Sequence, residues 1–240
     1  MREHSFKRIK WVASTGVVAL PPRFAQWPEV PSECVNVLCE GPSIRDLKPE
    51  HLLPGPVVAV NHALSLSGLV PVNVWATIDD PKLLWAWAQP HLHGKAKIFS
   101  TENNIKFWYD LLGEDGFNER LYCWVPTYME HLATPEIKAP VIPTVTTTLA
   151  WIGNMPAVKR VRLFGCDMVG SNSPLSEEAF SEEEDIGWEF RWDTERTLLA
   201  LMTKKYRERG KRIERWVKAP HVSRNLLSSW SKTKQLERSC

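Results

Sequence analysis

Apolar residues in this chain come in short blocks that end abruptly in polar or turn-forming residues. Val35, Val37, Leu38 and Cys39 make the first block, stopped by Glu40, Gly41, Pro42 and Ser43. Val57–Val60 make the second, stopped by Asn61 and His62. Residues 73–78 make the third, stopped by Asp79, Asp80 and Pro81. Runs of this length, rich in valine and bounded by turn residues, predict strands. Ile44–Leu53 predicts a short helix, closed by Pro54, Gly55 and Pro56. Residues 82–89 predict another, with Pro81 in its first turn, where a missing N–H costs nothing. A short strand is expected at 96–99. Further on, Pro143 and the threonines Thr144 and Thr146–Thr148 lead into a helix over Leu149–Met155. Val161–Phe164 follows as a strand stopped by Gly165, Cys166 and Asp167. A long helix is expected over Thr194–Arg209, closed by Gly210, and a last strand over Arg212–Trp216.

Strands alternating with helix-length pieces predict an α/β fold with a mostly parallel sheet. Such sheets bind ligands beyond the carboxyl ends of their strands. The polar stops at 40–43, 61–62 and 79–80 therefore open onto one edge. The first has a chemistry of its own. A strand that turns at a glycine into a helical segment points unpaired N–H groups outward, which suits an anion. In that reading Gly41 lets backbone approach a ligand, and Ser43 holds a phosphate oxygen or caps the turn. The Thr146–Thr147 turn offers the same chemistry. Asp167 suits a sugar hydroxyl, a base or a metal, and equally the cap of the next turn.

Other stretches are less regular. Residues 1–33 read as an extended N-terminal segment, with prolines at 21, 22, 28 and 31 stiffening its end. The main domain spans 34–217. Inside it, about 100–140 is an irregular insertion rich in tryptophan and tyrosine, either a lid over the sheet edge or a peripheral loop. The acidic run Glu177–Asp185 reads as a solvated face. Trp188 and Trp192, among Glu189, Arg191 and Asp193, form either an aromatic platform or the docking face of the long helix. Residues 218–240 are a basic tail.

Composition narrows the functional classes. A net charge of +2 over 240 residues gives no argument for nucleic acid, and no run is long enough to span a membrane. Five cysteines, an odd number in no common zinc spacing, favour a reducing, cytoplasmic setting. Twelve tryptophans exceed what a core of this size absorbs, so some are expected at a cleft or an interface, and an oligomer is compatible with that.

The segment from Val37 to Ile44 resembles the glycine-proline-serine motif of a Rossmann-like superfamily. That superfamily includes bacterial CMP-sialic-acid-dependent sialyltransferases and 6-hydroxymethylpterin diphosphokinase-like, motility-accessory-like proteins. Val58–Asn61 is similar to its second strand, which ends in an asparagine near the nucleotide. Ala76–Pro81 resembles the third strand and its polar end. Thr144–Leu149, then Val161–Asp167, resemble the late helix and a strand ending in Gly-x-Asp. The matches run in order over about 35–90 and 143–170. Two departures stand out. The sialyltransferases carry a basic histidine after the Gly-x-Asp strand, and none lies here between Asp167 and His221; His62 stands beside the expected nucleotide site instead. Glu40 also occupies a position where a small or amide residue is usual, and a carboxylate repels phosphate unless a metal intervenes.

The resemblance implies a Rossmann-like three-layer fold and a transferase. In a glycosyltransferase using a nucleotide-activated sugar, Glu40, Gly41, Pro42, Ser43, Asn61, Thr146 and Thr147 would surround the nucleotide. Asp79, Asp80 or Asp167 would orient the sugar. His62, Glu189 or Asp193 would deprotonate the acceptor hydroxyl, and Trp188, Arg191 and Trp192 would contact substrate. In the alternative, an ATP-dependent diphosphokinase, Asp79 would hold Mg2+ between phosphates. A third reading is a non-catalytic protein that binds a nucleotide or a partner.

Overall fold

The computed structural model describes residues 9–13, 16–20, 32–93, 96–101, 104–125, 143–153, 155–168 and 185–216. Two short strands, β1 (Ile9–Ala13) and β2 (Gly16–Leu20), pair antiparallel as a hairpin within the N-terminal segment. The main sheet begins with β3 (Cys34–Leu38), β4 (Val57–Val60) and β5 (Val74–Ala76). It continues through α1 (Pro81–Ala88), β6 (Lys97–Thr101), α2 (Ile105–Arg120) and β7 (Leu121–Val125). It then returns through α3 (Thr144–Gly153), β8 (Arg160–Phe164), α4 (Asp185–Glu208) and β9 (Arg212–Arg215).

The spatial order is β7-β6-β5-β4-β3-β8-β9, and every pair is parallel. From β3 the chain steps outward to β7, then comes back to the other side of β3. That reversal puts the switch point between β3 and β8. A change of direction at constant right-handedness moves the connections to the opposite face. So α1, α2 and the turns around 42–68 cover one face with Leu38, Val57, Ala59, Trp75, Ile98 and Phe164. Helices α3 and α4 cover the other, with Val35, Val37, Val58, Val60, Val161 and Leu163. Strands buried on both faces explain the unbroken valine runs. This is the three-layer α/β architecture expected from the sequence.

Three local readings change. Ile44–Leu53 is not one helix but two 3-10 turns, Pro42–Asp46 and Pro49–His51, because Pro49 restricts the residue before it and splits the segment. Residues 61–68 form a longer 3-10 turn rather than a plain strand end. The expected irregular insertion begins instead as regular structure, α2 and β7, and Trp108 is fully buried there. Residues 126–142 lie outside the described residues, as do the acidic run up to 184 and the basic tail.

Buried polar groups tie the strands to their turns. Asn36, fully buried on β3, donates from Nδ2 to the Leu53 carbonyl at 2.9 Å and accepts from the Leu53 N–H at 2.8 Å. On the far side, Glu214 of β9 is gripped by Arg160 at 2.6 Å and by Arg162 at 3.2 Å. That hydrogen bond to Arg160 holds the Glu214 carboxyl below its ordinary range.

Candidate functional site

The β3–β8 ladder outlasts its strands. The Cys39 N–H donates to the Phe164 carbonyl at 2.8 Å, and the Gly41 N–H to the Gly165 carbonyl at 2.6 Å. This carries Glu40-Gly41-Pro42-Ser43 alongside Gly165-Cys166-Asp167. Both glycines are needed for the approach. A Cβ on Gly41 would lie 2.5 Å from the Gly165 carbonyl oxygen and 2.7 Å from Asp167 Oδ2. Gly165 has φ +65°, and a Cβ there would sit 2.6 Å from the Cys39 carbonyl oxygen.

The anion that the Ser43 turn binds is the chain's own. Asp167 Oδ2 accepts from the Ser43 N–H at 2.6 Å, and Oδ1 accepts from the Ser43 hydroxyl at 2.7 Å. The sequence reading gave these donors to a phosphate or to a turn cap, and Gly41 to a ligand's approach. In the structure a carboxylate holds the donors and protein backbone fills the space beside Gly41. The physical chemistry is the expected one, negative charge at a helical N-terminus, with a different anion.

Next to it, Glu40 reaches across to the end of β4. Its Oε1 accepts from the His62 backbone N–H at 3.0 Å, and its Oε2 lies 3.3 Å from His62 Nδ1. Asn61, at φ +45°, makes the sharp turn that aims the N–H there. A carboxylate only accepts, so Nδ1 carries a proton, and in the neutral ring the basic lone pair falls on Nε2. Trp87 of α1 packs edge-on against the imidazole at 4.7 Å. Both partners are about one quarter exposed, so the pair is accessible yet partly shielded. Glu40 is thus paired with the histidine through both of its oxygens.

One strand further, register sets Val60 opposite Ala76, so Asn61 and Thr77 stand side by side. Asn61 Oδ1 and Thr77 Oγ1 are buried acceptors without a hydrogen-bond partner among the described residues. The Asn61 carbonyl is held by Trp75 Nε1 at 3.0 Å.

The remaining predicted residues divide. Asp80 caps α1, its Oδ1 accepting from the Lys82 N–H at 2.9 Å. Asp79 is exposed just before it, with its carbonyl held by Asn104 at 3.0 Å. Thr146 and Thr147 lie in the first turn of α3 and are buried. Topology puts that turn at the carboxyl edge, since a crossover helix runs against the strands. Trp192 packs on the α3/α4 core, which is the docking role. Asp193 pairs with Arg196 one turn along α4, and Arg196 also donates to the Met168 carbonyl at 3.1 Å, one residue past Asp167. Trp188, Glu189 and Arg191 are in the first turns of α4, and their side chains lie outside the described residues.

Sequence reasoning did not find the Glu40–His62 pairing, Trp87, or the burial of Cys39 and Cys166 in one cluster. The one signal available was that the blocks ending in Glu40 and Asn61 are neighbours in a parallel sheet. Among the described residues no helix is long and apolar enough to cross a membrane. No protein-family model matches the chain, and no curated protein or solved structure matches it.

Proposed function

We propose that this protein is a glycosyltransferase that takes a sugar from a nucleotide donor and uses His62 as its general base. The observation that carries this reading is the Glu40–His62 pair at the ends of β3 and β4, beside the switch point where such sheets bind nucleotides. Nε2 removes the proton from the acceptor hydroxyl, and the oxygen attacks the anomeric carbon while the nucleotide phosphate leaves. Glu40 fixes the ring and stabilises the imidazolium that forms. Asn61 and Thr77 supply buried acceptors for donor hydroxyl or amino groups. With Ser43 engaged by Asp167, the phosphates are left to the first turn of α3.

The diphosphokinase reading is less well supported. It needs Asp79 and Asp167 on one Mg2+, whose oxygens sit about 2.1 Å from the ion. Their strands, β5 and β8, are three spacings apart, about 14 Å.

The test is a thermal-shift panel followed by turnover. Stabilisation by a CMP- or UDP-sugar without metal, with His62→Ala keeping that shift but losing transfer, is the expected result. Stabilisation by ATP only with Mg2+ would replace this reading with pyrophosphoryl transfer. No response to any nucleotide would leave a protein that binds some other partner.

A further inference from the structure

Cys39 and Cys166 are the residues immediately before Glu40 and Asp167, and the β3–β8 ladder brings them together. Their strands are adjacent and parallel, and the ladder still holds at Cys39, whose N–H meets the Phe164 carbonyl. The register sets Cys39 opposite Gly165, one residue before Cys166, and a diagonal of about 6 Å between strands about 4.8 Å apart falls inside the 4.4 to 6.8 Å window of Cα separations that a disulfide spans. Both side chains turn to the α3/α4 face and belong to the same buried cluster. Both cysteines are free and buried. Contact with Cys166, then burial, pushes the Cys39 thiol well above its ordinary range. Cys39 therefore holds its proton and is a poor first nucleophile.

We propose that Cys39 and Cys166 are an oxidative modification site, closing to a disulfide that locks the ends of β3 and β8 and controls donor binding. The oxidant is a small peroxide, because burial excludes bulky disulfides. The Cys166 sulfur attacks the peroxide: an S–O bond forms, the O–O bond breaks, and the departing hydroxide takes the thiol proton as water. The Cys39 sulfur then attacks the sulfenic sulfur. The S–S bond forms, the S–O bond breaks, and a second water carries away the Cys39 proton. Two thiols lose two electrons, and one peroxide becomes two waters. A dithiol reductant reverses the bond by exchange. Closing the sulfurs to bonding distance pulls on Glu40 and Asp167, each one residue away, and so on His62 and Ser43.

The experiment treats the folded, full-length protein with hydrogen peroxide, denatures it, alkylates free thiols and maps peptides by mass spectrometry. The expected product links the Cys39 and Cys166 peptides, less two hydrogens, while Cys34, Cys123 and Cys240 carry the alkyl group. The Cys39→Ser variant is expected to trap a sulfenic acid at Cys166. Sulfinic acid at Cys166 with Cys39 alkylated in the native chain, or a link through any other cysteine, overturns the proposal. Control of donor binding rests on the transferase reading; the crosslink does not. Loss of the nucleotide-sugar thermal shift on oxidation, restored by dithiothreitol, supports that part. An unchanged shift in fully crosslinked protein overturns it while leaving the modification site standing.

Discussion

Asp167 clasps Ser43 with both oxygens, one on the backbone N–H at 2.6 Å and one on the hydroxyl at 2.7 Å, across 124 residues of sequence. Two hydrogen bonds to a charged acceptor at a partly buried turn make this a structural clasp. Asp167→Ala is expected to lower unfolding stability by about 2 to 4 kcal/mol, since hydrogen bonds to charged groups contribute about 1.5 to 3 kcal/mol each and do not add fully. Ser43→Ala removes one of the two and is expected to cost about half as much. Urea midpoints of the two variants check the ratio; equal and negligible shifts would remove the clasp.

Gly41→Ala tests the close approach directly. The new methyl meets a backbone oxygen at 2.5 Å, which a rotamer change does not relieve. Overpacking of this kind costs about 1 to 3 kcal/mol, and the clasp is lost with it. The expected stability loss therefore exceeds that of Ser43→Ala. A chemical-denaturation midpoint at or above the Ser43→Ala value would contradict the geometry.

Glu40→Gln separates positioning from catalysis. The amide still accepts from the His62 N–H but no longer stabilises an imidazolium. Turnover is expected to fall while donor-induced thermal stabilisation persists. If His62 is the base of the proposed transfer, His62→Ala is expected to lower kcat by about 10²- to 10⁴-fold. Steady-state kinetics that change KM alone in both variants would rule out a base at this position.

Tyr206 gives a prediction in pH. Its hydroxyl donates to the Leu149 carbonyl at 2.5 Å inside the α3/α4 core, and burial pushes the phenol well above its ordinary value of 10.0. Above about pH 10 the unfolded chain loses this proton and the folded chain keeps it, so stability falls as pH rises. The contribution is complete below about pH 10, and the slope above it approaches about 1.4 kcal/mol per pH unit. Lys205 and Lys211, both lowered by burial first, push the slope the other way. The wild-type minus Tyr206→Phe difference isolates the phenol. A difference flat to alkaline pH would refute its burial as a neutral group.

Where hydrophobic blocks were short, apolar and cleanly punctuated, the sequence was readable. β3, β4, α1 behind Pro81 and the end of α4 at Gly210 all fall within a residue or two of expectation. The stretch 100–125 was not readable, because α2 is interrupted by Gly113 at φ +68° and its apolar residues keep no single helical period. The long-range pairs were less visible still. Nothing local to Glu40 announces His62, 22 residues on; only the pairing of β3 with β4 sets their ends together. Likewise the Ser43 turn was recognised as an anion site, but its occupant lies beyond a strand whose place in the sheet is fixed only by topology.

That place has a cost during synthesis. β3 emerges from the ribosome first among the strands of the main sheet, yet one of its flanks stays open until β8 has been made. With Ser43 and Asp167 124 residues apart, translation at about 5 to 20 residues per second leaves that apolar edge uncovered for about 6 to 25 s. A nascent chain halted before Arg160 keeps it uncovered for good, and is the form of this protein for which a holding chaperone matters most.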